Sequence, residues 1–376
     1  MSFRSILPIH RWAALTVGLL ALVSAFTGAG MVFRKQLDPI IYPRTTASPC
    51  AAPVVLDALL AAAQKAHPQG KVDYVRILRD TRQPVEIRWM NKDTLYVDRC
   101  SGKIVAEQNR YAGIFGILEW IHRGRWLPEP AGDYVMGISA INLLFLLLAA
   151  GLYLWWPRKK QRFLDNFKLN MKLRKGPPFD MGLHRTIGGW VALALAVSAT
   201  TALPNAFPIV RNGLAAIGSS GADRKLHSTR SGPAIPVSAV WSEIQRLTPN
   251  PREVLIHLTH KPADPLESYI IAADAPHANA RTYLYLDSHD GHILKFTPYA
   301  DMGLGDRLYY WMLSIHTGEV GGIFGQLLLA LGCLGALVLG FTGIRTWLRR
   351  RANRSRAASR DRPAVTMNAT GKQVAS

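Results

Sequence analysis

The sequence predicts a membrane α-helical protein: a four-transmembrane-helix bundle built from two parallel pseudo-repeats, with two small α+β domains outside the bilayer. Three observations predict it. Four stretches contain no Asp, Glu, Lys or Arg, namely Trp12–Phe33, Tyr134–Pro157, Thr186–Val210 and Val320–Ile344, each 22 to 25 residues long. That length crosses a hydrocarbon core of roughly 30 Å as helix, the conformation that satisfies backbone hydrogen bonds internally. Second, the formal charge of +20 is one-sided. Residues 1–11, 158–185 and 345–376 hold a net +17, while the two long intervening loops are nearly balanced. The positive-inside rule therefore places both termini and the 158–185 loop on the cytoplasmic side of a membrane, and both long loops outside. Topology accounts for the basic charge, so no nucleic-acid partner is inferred. Third, residues 10–28 (HRWAALTVGLLALVSAFTG) align with 184–202 (HRTIGGWVALALAVSATTA) at 8 of 19 positions.

The elements follow in order. Residues 1–34 form the first span, too long in its apolar run for a cleaved signal core. Residues 35–110 form an outer domain: an amphipathic helix near Val55–Ala66, then the strand–turn–strand LYVDRCSGKIV at 95–105. Residues 111–158 hold an interfacial segment, WIHRGRW, and the second span. Residues 159–183 are a basic inner loop, and 184–210 the third span. Residues 211–298 repeat the outer domain, with a helix near Val237–Leu247 and the hairpin LYLDSHDGHIL at 284–294. Residues 299–348 hold the interfacial segment MLSIHTGEVGG and the fourth span, and 349–376 form an arginine-rich tail expected to be disordered. Cys50 and Cys100 share the first outer loop, where an oxidising compartment permits a disulfide. Spacing alone does not decide it.

Duplication makes the histidines informative. The halves are related by an axis along the membrane normal, so His10 and His184 become mates at the inner boundary, and His122 and His316 at the outer one. Neutral imidazole is the commonest biological metal ligand, and haem iron accepts axial ligands from both faces of the porphyrin. Two facing histidines supply both. Neither pair has the extra Cys or carboxylate ligands that a bare zinc or octahedral ion needs. No C-x-x-C-H occurs, so haem would be held non-covalently, as two haem b groups. Arg11, Arg123 and Arg185 each follow one of these histidines. They suit either pairing with haem propionates or anchoring to lipid headgroups. His257, His260, His289 and His292 fall in outer-domain strands and turns and are read as solvated. Trp155, Trp156 and Trp347 fit an interfacial aromatic belt.

HRW or HRT before one span, IHRG or IHTG before the next, LWWPR at a span end and the outer Asp–Gly hairpins together resemble the PepSY-associated transmembrane family over nearly the whole chain. The resemblance implies an inner-membrane iron-uptake protein of the ferric-siderophore reductase kind. On this resemblance His10 and His184 ligate one haem, and His122 and His316 the other. It also implies a ferric siderophore or other ferric chelate as substrate, and a separate electron donor, a quinol or a cytoplasmic flavoprotein. No G-x-G-x-x-G or phosphate loop is seen. Two other classes stay open: a non-enzymatic anchor presenting its outer modules to a periplasmic protease or sensor, and a permease for iron or haem. Against the permease, no span carries an internal Asp, Glu, Lys or Arg.

Overall fold

A computed structural model describes residues 3–44, 54–157, 163–170, 176–218, 226–228, 232–259, 261, 263–360, 365–367 and 373–375. Three of its helical stretches are long and apolar enough to cross a membrane: Ala131–Trp155, Pro177–Ala206 and Ile323–Arg356. A fourth forms if the bent pair Ser5–Leu15 and Gly18–Met31 counts as one span. The chain divides into two compact units. One comprises Met1–Phe26, Ile141–Ala196 and Leu331–Ser376, and the other Thr27–Ala140 and Val197–Ala330.

The first unit holds helix α1 (Phe3–Leu15) and most of α2 (Gly18–Met31), a π-helical segment (Asn142–Leu148) and α7 (Ala149–Trp155). It also holds the first two-thirds of α8 (Pro177–Ala206) and the latter part of α12 (Ile323–Arg360). Apolar faces pack where small residues admit a neighbour: a Cβ at Gly335 would meet Val191, and one at Gly340 would meet Leu22. Trp155, Phe163, Phe167 and Trp190 form an edge-on aromatic cluster at one end. Nearby, the buried Asp180 carboxylate pairs with Arg345 at 3.3 Å and with Arg349.

The second unit is built on an antiparallel sheet of eight strands: β1 Val72–Leu78, β2 Val85–Trp89, β3 Asp93–Val97, β4 Ile104–Asn109, β5 Glu253–His257, β6 Leu266–Ile271, β7 Arg281–Leu286 and β8 Ile293–Thr297. Their order is β4-β3-β2-β1-β5-β6-β7-β8. Period-two alternation sends Val75, Ile77, Val85, Ile87, Leu95, Val254, Ile256, Ile270 and Leu284 to one face. There they bury against α4 (Leu56–Ala66) and α10 (Val237–Leu247). The opposite face carries Tyr74, Arg76, Glu86, Tyr269, Arg281 and Tyr283. Arg76 bridges Glu86 and Glu253, each at 2.9 Å, across the junction of the halves. In the two hairpins Asp98 accepts from the Cys100 and Ser101 amides, and Asp287 from the His289 amide. Gly102 (φ +71°) and Gly291 (φ +76°) take the left-handed turn positions. This unit also contains α3 (Arg34–Ile41), most of α6 (Ala131–Ile141) and α9 (Pro208–Ala215). Helices α5 (Gly113–His122) and α11 (Leu304–His316) follow the two hairpins, and each ends on its histidine.

Several expectations are corrected. The two outer modules are not separate domains: β1 and β5 pair from Tyr74↔His257 to Leu78↔Glu253, so one sheet and one core span both halves. Pairing satisfies two strand edges that separate modules would leave open. The first span is bent by 55°. At the break the Thr16 hydroxyl bonds the Trp12 carbonyl at 2.7 Å, a back-bond that bends helices. The third helix starts at Pro177, so His184 lies within it rather than ahead of it. Proline suits a first helical turn, where its missing N–H costs nothing. Among the described residues of the tail, the fourth helix continues to Arg360, as an Ala/Arg-rich sequence favours, and Val365–Met367 pairs with Gln373–Ala375. Cys100 is disulfide-bonded and Cys333 is a free buried thiol. Cys50 lies outside the described residues.

Candidate functional site: two facing histidine pairs

Each compact unit contains one histidine pair. In the first, His10 on α1 faces His184 on α8 with ring centroids 6.3 Å apart and planes at 89°. In the second, His122 at the end of α5 faces His316 at the end of α11 with centroids 6.2 Å apart and planes at 49°. A metal–imidazole bond is about 2.0–2.1 Å, and each nitrogen lies about 1.1 Å from its ring centre. Two imidazoles on opposite sides of one metal therefore have centroids about 6.3 Å apart. Both pairs match that separation. Among the described residues no group of three or more His, Cys, Asp and Glu converges. Two protein ligands are too few for a bare zinc site but are the number haem iron takes axially.

Hydrogen bonds fix which ring nitrogen carries the proton. His316 Nδ1 is 3.1 Å from the Ser198 carbonyl, which can only accept, and 3.4 Å from the Thr201 hydroxyl. Nδ1 must therefore carry the proton, leaving Nε2 with a free lone pair. His184 Nδ1 is 3.0 Å from the Thr342 hydroxyl, whose own proton goes to the Val338 carbonyl at 2.7 Å. Here too Nδ1–H donates. His122 Nδ1 contacts the Thr27 hydroxyl at 3.0 Å. Metal-bound histidines typically have the second nitrogen tied to oxygen in this way, which fixes tautomer and ring orientation. Burial pushes the His316 imidazole below its ordinary pKa of 6.5, favouring the neutral form a ligand needs.

The predicted arginines fare unequally. Arg123 lies 3.8 Å from Asp133. Arg11 is half-buried and Arg185 exposed, and neither makes an ion pair among the described residues. Of the outer histidines, His257 sits 3.4 Å from Asp73 on the polar sheet face. His289 and His292 lie in the second hairpin turn, and His260 falls outside the described residues.

Sequence reasoning missed the oxygens. Thr27 and Thr201 occupy the same position of the 19-residue repeat and are among its identities, and each bonds the second histidine of its half, His122 or His316. That identity was the signal. His277 was missed as well: it is buried, with Nε2 2.9 Å from the Tyr299 hydroxyl and Nδ1 2.9 Å from Ser314 on the helix that ends in His316.

A comparison with family profiles matches residues 7–350 to the PepSY-associated TM region. A comparison with curated proteins finds no match.

Proposed function

The chain belongs to the PepSY-associated transmembrane family, and from that membership and its two facing histidine pairs we propose a di-haem b electron-transfer protein of the bacterial inner membrane that reduces a ferric chelate outside. The observation that carries the reading is the pair of centroid separations, 6.3 and 6.2 Å, recurring at duplicated positions. His10 with His184 and His122 with His316 would hold the two groups. Haem bound there would supply one-electron transfer between an inner donor, a quinol or reduced flavoprotein, and Fe(III) outside.

The chain's own residues bind, orient and insulate. Thr342 accepts the Nδ1 proton of His184, and Ser198 with Thr201 accepts that of His316, which leaves the Nε2 of both rings unprotonated. Helix α8 serves both pairs, giving His184 to one and the oxygens that hold His316 to the other. Each Fe(III) takes one electron. The product is a less charged ion that oxygen-rich chelators hold less tightly, which frees iron for uptake. Membrane vesicles carrying the protein and a quinol or flavin donor should generate Fe(II), trapped by a coloured Fe(II) chelator, from ferric siderophore. Replacing all four histidines by alanine should abolish it. An unchanged rate in that variant sinks the reductase reading and favours an anchor role.

A further inference from the structure

The four histidines are not held alike. Hydroxyl or carbonyl oxygens hold Nδ1 of His184, His122 and His316, whereas His10 Nδ1 is buried with no hydrogen-bond partner. The repeat shows why. The second and fourth spans end in GLYLWWPR (151–158) and GIRTWLRR (343–350), so Gly151 matches Gly343 and Trp155 matches Trp347. The glycines occupy equivalent places: a Cβ at Gly151 would lie 3.3 Å from His10 Cε1, and one at Gly343 would lie 3.6 Å from His184 Cε1. The residue ahead of each glycine differs. It is Thr342 in the second half, the acceptor of the His184 Nδ1 proton, and Ala150 in the first.

A second difference lies on the same helix. Asn142–Leu148 is π-helical, whereas α12 is α-helical throughout. A π segment shifts its bonding from i+4 to i+5, which disturbs the carbonyl ladder, and such segments cluster at functional sites. Leu146 and Leu147 of this segment lie beside His10, and no acceptor meets Nδ1 at both hydrogen-bonding distance and angle.

From this asymmetry we infer that the His10–His184 pair is a ligand-exchange site: His10 yields its place on the iron to a small neutral diatomic ligand, and the His122–His316 pair does not. The inference rests on the haem reading above. A metal-bound imidazole with its second nitrogen unanchored is less firmly oriented and less basic, and losing such a partner weakens metal binding about 10–100-fold. In the exchange the iron's bond to His10 Nε2 breaks as its bond to the incoming carbon, nitrogen or oxygen atom forms. No electron or proton moves elsewhere, and His10 leaves neutral. Carbon monoxide, which binds ferrous haem and adds no charge, is the probe.

The test uses the purified full chain, reduced with dithionite and titrated with carbon monoxide while the absorption spectrum is followed. Half of the bound haem should react. Ala150→Thr should weaken that reaction about 10–100-fold by restoring the hydroxyl. Thr342→Val, close to isosteric, should strengthen it at the same pair, and haem content should hold steady in Ala150→Thr. Reaction of none or all of the haem, or an unchanged affinity in both variants, overturns the inference. A purified chain that carries no haem overturns the reading beneath it, whereas a di-haem chain inert to carbon monoxide overturns this inference alone.

Discussion

Thr201 and Thr27 stand where a short side chain does two things at once. Threonine in a helix commonly spends its hydroxyl on the preceding turn, and Thr201 does so, donating to Val197 at 2.8 Å. Its remaining acceptor capacity then faces His316. Thr201→Val keeps the shape and removes the oxygen. It should speed loss of haem from the outer pair by about 10–100-fold, measured by transfer to an excess of apomyoglobin, and leave the inner pair unchanged. Uniform loss from both pairs, or from neither, contradicts the role. His277 makes a pH prediction. Burial holds its pKa below 6.5, so the unfolded chain takes up a proton as pH falls below that value while the folded chain resists it. Stability contributed by neutral His277 is thus present above about pH 6.5 and lost on acidification. Melting temperature in detergent should fall more steeply between about pH 7 and 5.5 in wild type than in His277→Gln; parallel slopes would count against it. At this scale the four paired histidines were legible because imidazoles recurring beside apolar runs stand out. His277 was not, since its partners lie 22 and 37 residues away and no periodicity links them.

Elements were legible where a local pattern sufficed. The amphipathic helix expected at Val237–Leu247 has those bounds, and both Asp–Gly hairpins form. Three features depended on something nonlocal or subtle. The bend near Thr16, the π segment within the second span and the joining of β1 to β5 leave an apolar run or a strand pattern unchanged, so composition is silent on them. The β1–β5 junction has an energetic consequence. Ile256 is fully buried opposite Val75 in a core that draws on both halves. Ile256→Ala should cost about 2–4 kcal/mol, and tryptophan fluorescence from Trp89 and Trp241, one in each half, should show a single shifted denaturant transition. Two separated transitions would mean that the halves fold as independent modules.

For the whole molecule, the family and the membrane character were legible from apolar length, charge asymmetry and duplication, and the match over residues 7–350 agrees. Charge also predicts sidedness. Alkaline phosphatase, active only where its disulfides form, should be active when fused after residue 110 and inactive after residue 170. The reverse pattern would overturn the positive-inside assignment. What composition could not supply was distance: that imidazoles 174 and 194 residues apart in sequence face each other at one metal's span had to be seen. The claim that each facing pair clamps one iron porphyrin is tested most directly by the haem-to-protein ratio of the purified chain and its single-histidine variants. Two haems per wild-type chain are predicted, falling to one in His184→Ala and in His316→Ala. A wild-type chain without a reducible Soret band after expression with ample haem, or variants that keep both haems, would contradict it.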